Sequence, residues 1–68
     1  SIEEARAEEL AGMARQFIFD QALATVYEGG RRDNEAFALA KSAAEGLGID
    51  TASIERFDIE YRKRNSIV

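Results

Sequence analysis

Residues 36–54 read AFALAKSAAEGLGIDTASI, and this stretch decides the fold of the chain. Its first part carries apolar residues at helical spacing, with many alanines that allow helices to approach closely. Gly48 then ends that helix in the left-handed C-cap conformation, and Ile49 is placed for the hydrophobic contact that accompanies such a cap. Asp50 or Thr51 follows as the N-cap of another helix. The stretch therefore predicts two helices joined by a short glycine turn.

Upstream of this stretch, the sequence predicts one long helix over about residues 2–28. Ser1 and Glu4 have the spacing of a capping box, and Gly12 alone weakens the helix before the glycine pair at residues 29–30. The apolar positions change side near Phe17, so the two halves of this helix are expected to bury different faces.

The other two helices are predicted over about residues 34–47 and 51–64, with Asp33 or Asn34 as the N-cap of the first. Helix 34–47 is expected to be the central packing helix, with Leu39 and Leu47 on its buried stripe. Residues 65–68 carry no strong signal and are expected to fray unless their two apolar side chains pack back. Residues 1–68 thus form one all-α domain, a small three-helix fold completed by oligomerisation.

The composition lacks several of the side chains that enzymes most often use for catalysis. The 68 residues include no Cys and no His, which excludes disulfides, thiolate metal sites and the commonest general base. Glu4 and Glu8 lie one helical turn apart, but no third ligand joins them, so they are interpreted as a solvated acidic face. The stretch 29–32, Gly-Gly-Arg-Arg, matches no phosphate-loop motif and is interpreted as a helix connection. We therefore predict no enzyme, metal or cofactor.

The first half of the long helix carries a candidate protein interface. A chain this short seldom stabilises itself by more than a few kcal/mol without disulfides or metal. Two short helices do not suffice to cover the apolar positions of that half, and a partner would cover them. The predicted interface residues are Leu10, Met13, Ala14 and Phe17. The preferred function is a protein-protein interaction or assembly module (a subunit, an adaptor or an oligomerisation domain), with a protein partner or a second copy bound there.

Charge and hydropathy disfavour some classes of partner. The net charge of −4 lies in residues 1–28, which disfavours contact of the first helix with nucleic acid or anionic membranes. No apolar run approaches the roughly 20 residues of a membrane span. We expect a cytoplasmic protein without a membrane contact or a small-molecule substrate.

One segment resembles a family of DNA-binding proteins. Ala44 and Gly48 match a small residue in a first helix and a glycine in the turn four residues later. Apolar residues occupy the surrounding positions, namely Ala43, Leu47, Ile49, Ile54 and Phe57. In these respects residues 43–57 resemble the helix-turn-helix of phage-repressor-type DNA-binding proteins. The resemblance covers about a quarter of the chain and implies a turn around Gly48 and a recognition helix over residues 51–64.

This resemblance implies an alternative function, a small DNA-binding domain of a transcriptional regulator. Arg56 would then address a guanine base, while Arg62, Lys63 and Arg64 would meet phosphates. The other outward positions of the recognition helix include two acids and no Lys, Asn or Gln. The charge pattern therefore favours a packed helical hairpin over a DNA reader.

Overall fold

A computed structural model describes residues 1–68. It contains three helices and no strand: α1 over Ile2–Val26, α2 over Asn34–Gly46 and α3 over Thr51–Arg64. The predicted small all-α, three-helix domain is confirmed. The molecule measures 43 × 25 × 17 Å, because α1 is much longer than the two helices that pack against it.

Each helix begins at a side-chain cap. Ser1 Oγ, Asp33 Oδ1 and Asp50 Oδ1 each accept a hydrogen bond from the backbone N–H three residues later, at 3.2, 3.1 and 3.0 Å. The structure thus selects the aspartate over Asn34 or Thr51 at the two positions that the sequence left open. These caps satisfy amides that have no partner within the helix.

The turn between α2 and α3 has the predicted geometry. Gly48 has a φ of +85°, and its N–H donates to the carbonyl of Glu45 at 3.0 Å. The N–H of Ile49 donates to the carbonyl of Ala44 at 3.0 Å, which completes the paired hydrogen bonds of a Schellman cap. Ile49 itself is buried. This short turn joins the end of α2 directly to the cap of α3.

Helix α1 ends earlier than predicted, whereas α3 ends at Arg64 as predicted. Helix α1 ends at Val26 rather than near residue 28, because Tyr27 leaves the helix and turns its side chain into the core. Past α3, Ser66 adopts a φ of +54°, and the N–H of Ile67 donates to the carbonyl of Arg62 at 2.9 Å. Ile67 packs back against the core, which is one of the two alternatives that the sequence left open, whereas Val68 stays exposed.

The core is built around the second half of α1. Its buried apolar side chains come from all three helices and the two connections: Phe19, Leu23, Val26, Tyr27, Ala44, Ile49, Ile54 and Phe57. Helix α2 contributes only Ala44, so its predicted central position is wrong.

The rotation of α2 explains why this helix buries so little. Ala36, Phe37 and Ala40 face the core, and this rotation of α2 leaves Leu39 and Leu47 exposed. No residue in the first half of α1 is buried within the chain, so only the second half buries a face against α2 and α3. Burial of the first half against a partner stays a prediction.

Candidate interaction surface

The four predicted interface residues lie together on an exposed stripe of α1. Leu10, Met13 and Phe17 expose 58%, 59% and 66% of their surface, and Ala14 is also exposed. At 100° per residue, Phe17 and Leu10 point about a third of a turn or more away from the buried Leu23. Neither α2 nor α3 covers this side of α1.

An apolar groove between α1 and α2 extends this stripe. It measures about 80 Å³, and all its lining side chains are hydrophobic, among them Ile18, Ala43 and Leu47. Ile18 is half exposed and lies one helical turn after Ala14, at the i, i+4 spacing of neighbouring side chains, so the groove borders the stripe. We call Leu10, Met13, Ala14, Phe17 and Ile18 the outer face of α1.

The groove was not predicted from the sequence, because the apolar spacing of helix 34–47 placed Leu47 inside the core. The signal that was available is the run of three large apolar residues at 17–19, which cannot all point at one neighbour. In the structure Phe19 is buried, whereas Phe17 and Ile18 remain exposed.

Two of the predicted nucleic-acid contacts form ion pairs, one within α3 and one with α1. Arg56 Nε lies 3.7 Å from a carboxylate oxygen of Glu60. Arg64 Nη2 donates to Asp20 Oδ2 at 2.8 Å, which ties the end of α3 to α1. Lys63 is exposed and has no carboxylate within 4.0 Å. These cations therefore do not form one unpaired basic surface.

The fourth predicted contact, Arg62, belongs to a cluster around the buried carboxylate of Asp58. Arg62 Nε and Arg32 Nη1 lie 3.3 and 3.5 Å from Asp58 Oδ2, and the Tyr27 hydroxyl donates a hydrogen bond to Asp58 Oδ1. Burial raises the pKa of the Tyr27 phenol above its usual value, and the hydrogen bond to Asp58 raises it further. This cluster joins the first connection to α3.

Asp58 is a functional candidate that the sequence did not single out. The available signal was its position on the stripe formed by Ile54 and Tyr61, where an acid would need a partner. Which partner it takes depends on the tertiary fold.

The connection between α1 and α2 forms an open hollow of about 640 Å³ that Arg31 and Asp33 help to line. The Asp33 carboxylate accepts from the first turn of α2, where an outside anion would otherwise bind. Its neighbour Arg32 points to Asp58 instead. The structure therefore agrees with the interpretation of residues 29–32 as a helix connection.

No protein-family model, curated protein or solved structure matches this chain. None of the three helices is both long enough and apolar enough to cross a membrane. The side chains form no group of three or more acidic, His or Cys residues placed to hold a metal ion.

Proposed function

We propose that this chain is a non-enzymatic, cytoplasmic assembly module that pairs with a second copy of itself through the outer face of α1. The observation that supports the proposal is the exposure of Leu10, Met13 and Phe17 on a helix half that contributes nothing to the core. Contiguous exposed apolar surface of this kind is typical of interaction sites.

The expected affinity is modest. A symmetric pair would cover six large side chains, two each of Leu10, Met13 and Phe17. Covering what each now exposes contributes roughly 1 to 2 kcal/mol. Association itself costs about 4 to 15 kcal/mol in lost freedom of motion. The six contributions together exceed the lower end of this cost by up to about 8 kcal/mol, so we expect a weak dimer whose Kd lies between roughly micromolar and millimolar.

Charge favours an antiparallel arrangement of the two α1 helices. The first nine residues hold four glutamates and only one arginine, Arg6. A parallel pair would bring the two acidic ends together, and like charges at close range repel. An antiparallel pair centred near Met13 and Ala14 keeps these ends apart and sets Leu10 of one copy opposite Phe17 of the other.

The change Phe17→Glu tests the pairing. It places a charge in the middle of the outer face but removes no core contact, since Phe17 is mostly exposed. We expect a folded monomer in sedimentation equilibrium over the concentration range where the unmodified chain dimerises. Ile59→Glu is the matched control, because Ile59 is also partly exposed but lines a cleft between α2 and α3. A monomeric unmodified chain at millimolar concentration, or equal weakening by both changes, would contradict the proposal.

Single cysteines test the orientation, since the chain has no cysteine of its own. Met13→Cys lies near the centre of the pair and should form an interchain disulfide under mild oxidation. Ile2→Cys should not, because the antiparallel arrangement separates the two N-termini. Efficient crosslinking of Ile2→Cys would show a parallel pair instead.

The helix-turn-helix remains a second candidate function. The left-handed Gly48 and the buried Ala44, Ile49 and Phe57 fit that motif. The pairing of Arg62 with Asp58 argues against it, because that guanidinium is already engaged with a carboxylate.

Titration with duplex DNA separates the two functions. DNA binding by a basic surface is strongest at low salt, so about 50 mM salt is the condition most favourable to it. An assembly module should give no gel shift even there, at micromolar protein. A salt-sensitive shift that is lost when Arg62, Lys63 and Arg64 are replaced by Ala would favour the DNA-binding domain.

A further inference from the structure

The cleft between α2 and α3 differs in character from the outer face of α1. It encloses about 350 Å³, near the lower end of the size range of ligand pockets. Phe37 and the partly exposed Ile59 form part of its apolar wall. The residues that line it carry a net positive charge, because three cations face two carboxylates. The cations are Arg32, Lys41 and Arg62, and the carboxylates are those of residues 55 and 58. This surplus stands out in a chain whose net charge is −4.

Two of these cations are held in place. Arg32 and Arg62 both lie within 3.5 Å of the same oxygen of Asp58, so their guanidinium groups are neighbours. Arg32 is fixed further, because its Nε donates to Asn34 Oδ1 at 3.2 Å and its guanidinium carbon lies 4.5 Å from the ring centre of Phe37. One carboxylate thus orients two guanidiniums, each of which has further N–H donors.

The third cation, Lys41, has no carboxylate within 4.0 Å. Four other cations also lack such a partner, namely Arg6, Arg15, Arg31 and Lys63. All four are exposed, whereas Lys41 is partly buried against the cleft. Lys41 lines the cleft with no carboxylate close enough to neutralise it, so its positive charge favours an anion there.

We propose that this cleft binds a small organic anion, a phosphate monoester or a carboxylate that carries an apolar group. The planar guanidinium groups suit the paired oxygens of such an anion. Lys41 adds a third positive charge, and Phe37 and Ile59 contact the apolar group. Glu55 opposes binding, because it is the lining carboxylate that has no ion-pair partner. The site does not depend on pairing through the outer face of α1.

The test uses the full chain, and amide NMR shifts report binding of four probes: phenyl phosphate, benzoate, inorganic phosphate and phenol. We expect the two aromatic anions to bind the cleft and to move the amides around Lys41 and Ile59. Inorganic phosphate and phenol should each bind at least about tenfold more weakly than phenyl phosphate. Inorganic phosphate lacks the apolar group, and phenol lacks the charge. Tighter binding of phenyl phosphate or of benzoate identifies which class of anion the site prefers.

Three substitutions separate specific binding from general attraction to positive charge. Lys41→Gln should weaken phenyl phosphate binding about tenfold, whereas Lys63→Gln, the same change at an exposed lysine, should leave it unaltered. Glu55→Gln should strengthen binding severalfold, since it removes a repelling charge. Equal effects of the two lysine changes, or equal binding of phenyl phosphate and inorganic phosphate, would overturn the proposal. Phe17→Glu should bind phenyl phosphate with unaltered affinity, so the result for the cleft can be interpreted whether or not the chain dimerises.

Discussion

At the scale of single residues, Asp58 is the least expected feature of the molecule. It is 4% exposed, and burial of a carboxylate is unfavourable unless partners satisfy it. Tyr27, Arg32 and Arg62 supply those partners from two separate parts of the chain. The cluster therefore fixes the first connection against α3, and removal of one partner leaves the carboxylate incompletely satisfied.

Tyr27→Phe is expected to destabilise the domain by about 1 to 3 kcal/mol at neutral pH, since Asp58 Oδ1 loses its donor inside the protein. Tyr61→Phe is the matched control, because Tyr61 stacks on Tyr27 but its hydroxyl makes no hydrogen bond within the chain. Thermal or urea unfolding of both variants measures the difference. A loss in the control as large as that in Tyr27→Phe would refute the assigned role of the Tyr27 hydroxyl.

The same phenol predicts how stability responds to alkaline pH. Its folded-state pKa is raised above the ordinary value of 10.0, chiefly by burial. The stabilising contribution is fully present below pH 10.0 and is lost as pH rises through the folded-state pKa, because the unfolded chain releases the proton first. The stability advantage of the unmodified chain over Tyr27→Phe should therefore shrink in urea titrations above that pH. A constant difference would contradict this linkage.

At the scale of helices, the caps follow from the sequence but the rotation of α2 does not. Ser1, Gly48 and Ile49 act through hydrogen bonds with residues a few positions away, so local spacing predicts them. The inward face of α2 depends on which side chains meet α1 and α3. Alanines let the backbones approach closely, and Phe37 turns inward, so Leu39 and Leu47 are left at the edge.

Two glycine substitutions test the helix assignments in opposite directions. Gly48→Ala should destabilise the domain by about 1 kcal/mol, because its φ of +85° is strained for a residue with a Cβ atom. Gly12→Ala should stabilise it by about 1 kcal/mol, since alanine has the higher helix propensity. The added methyl meets nothing closer than Arg15 Nη2 at 3.9 Å. Melting temperatures should shift in opposite directions, and a shared direction would contradict one of the two assignments.

At the scale of the whole molecule, the sequence predicts the fold class and the grouping of the four exposed apolar residues of α1 better than it predicts the polar clusters. Periodicity along one helix places Leu10 and Phe17 on one face, whatever the rest of the chain does. The cluster around Asp58 joins residues 26 and 31 positions apart, and the cleft near Lys41 needs two helices at a defined distance. Such long-range contacts depend on how the three helices pack, which local patterns do not specify.

The exposed first half of α1 has a consequence for how fast its backbone exchanges hydrogen with solvent. Short helical segments without packing are marginal in water, so residues 2–10 stay helical mainly by continuation from the packed half. Deuterium uptake should therefore fall along α1, from rapid near Ile2 to slow at Leu23, where exchange requires opening of the core. Raising the protein concentration should move the boundary of slow exchange toward the N-terminus as a second copy covers Phe17. Uniform uptake along α1 at every concentration would show that its two halves open together.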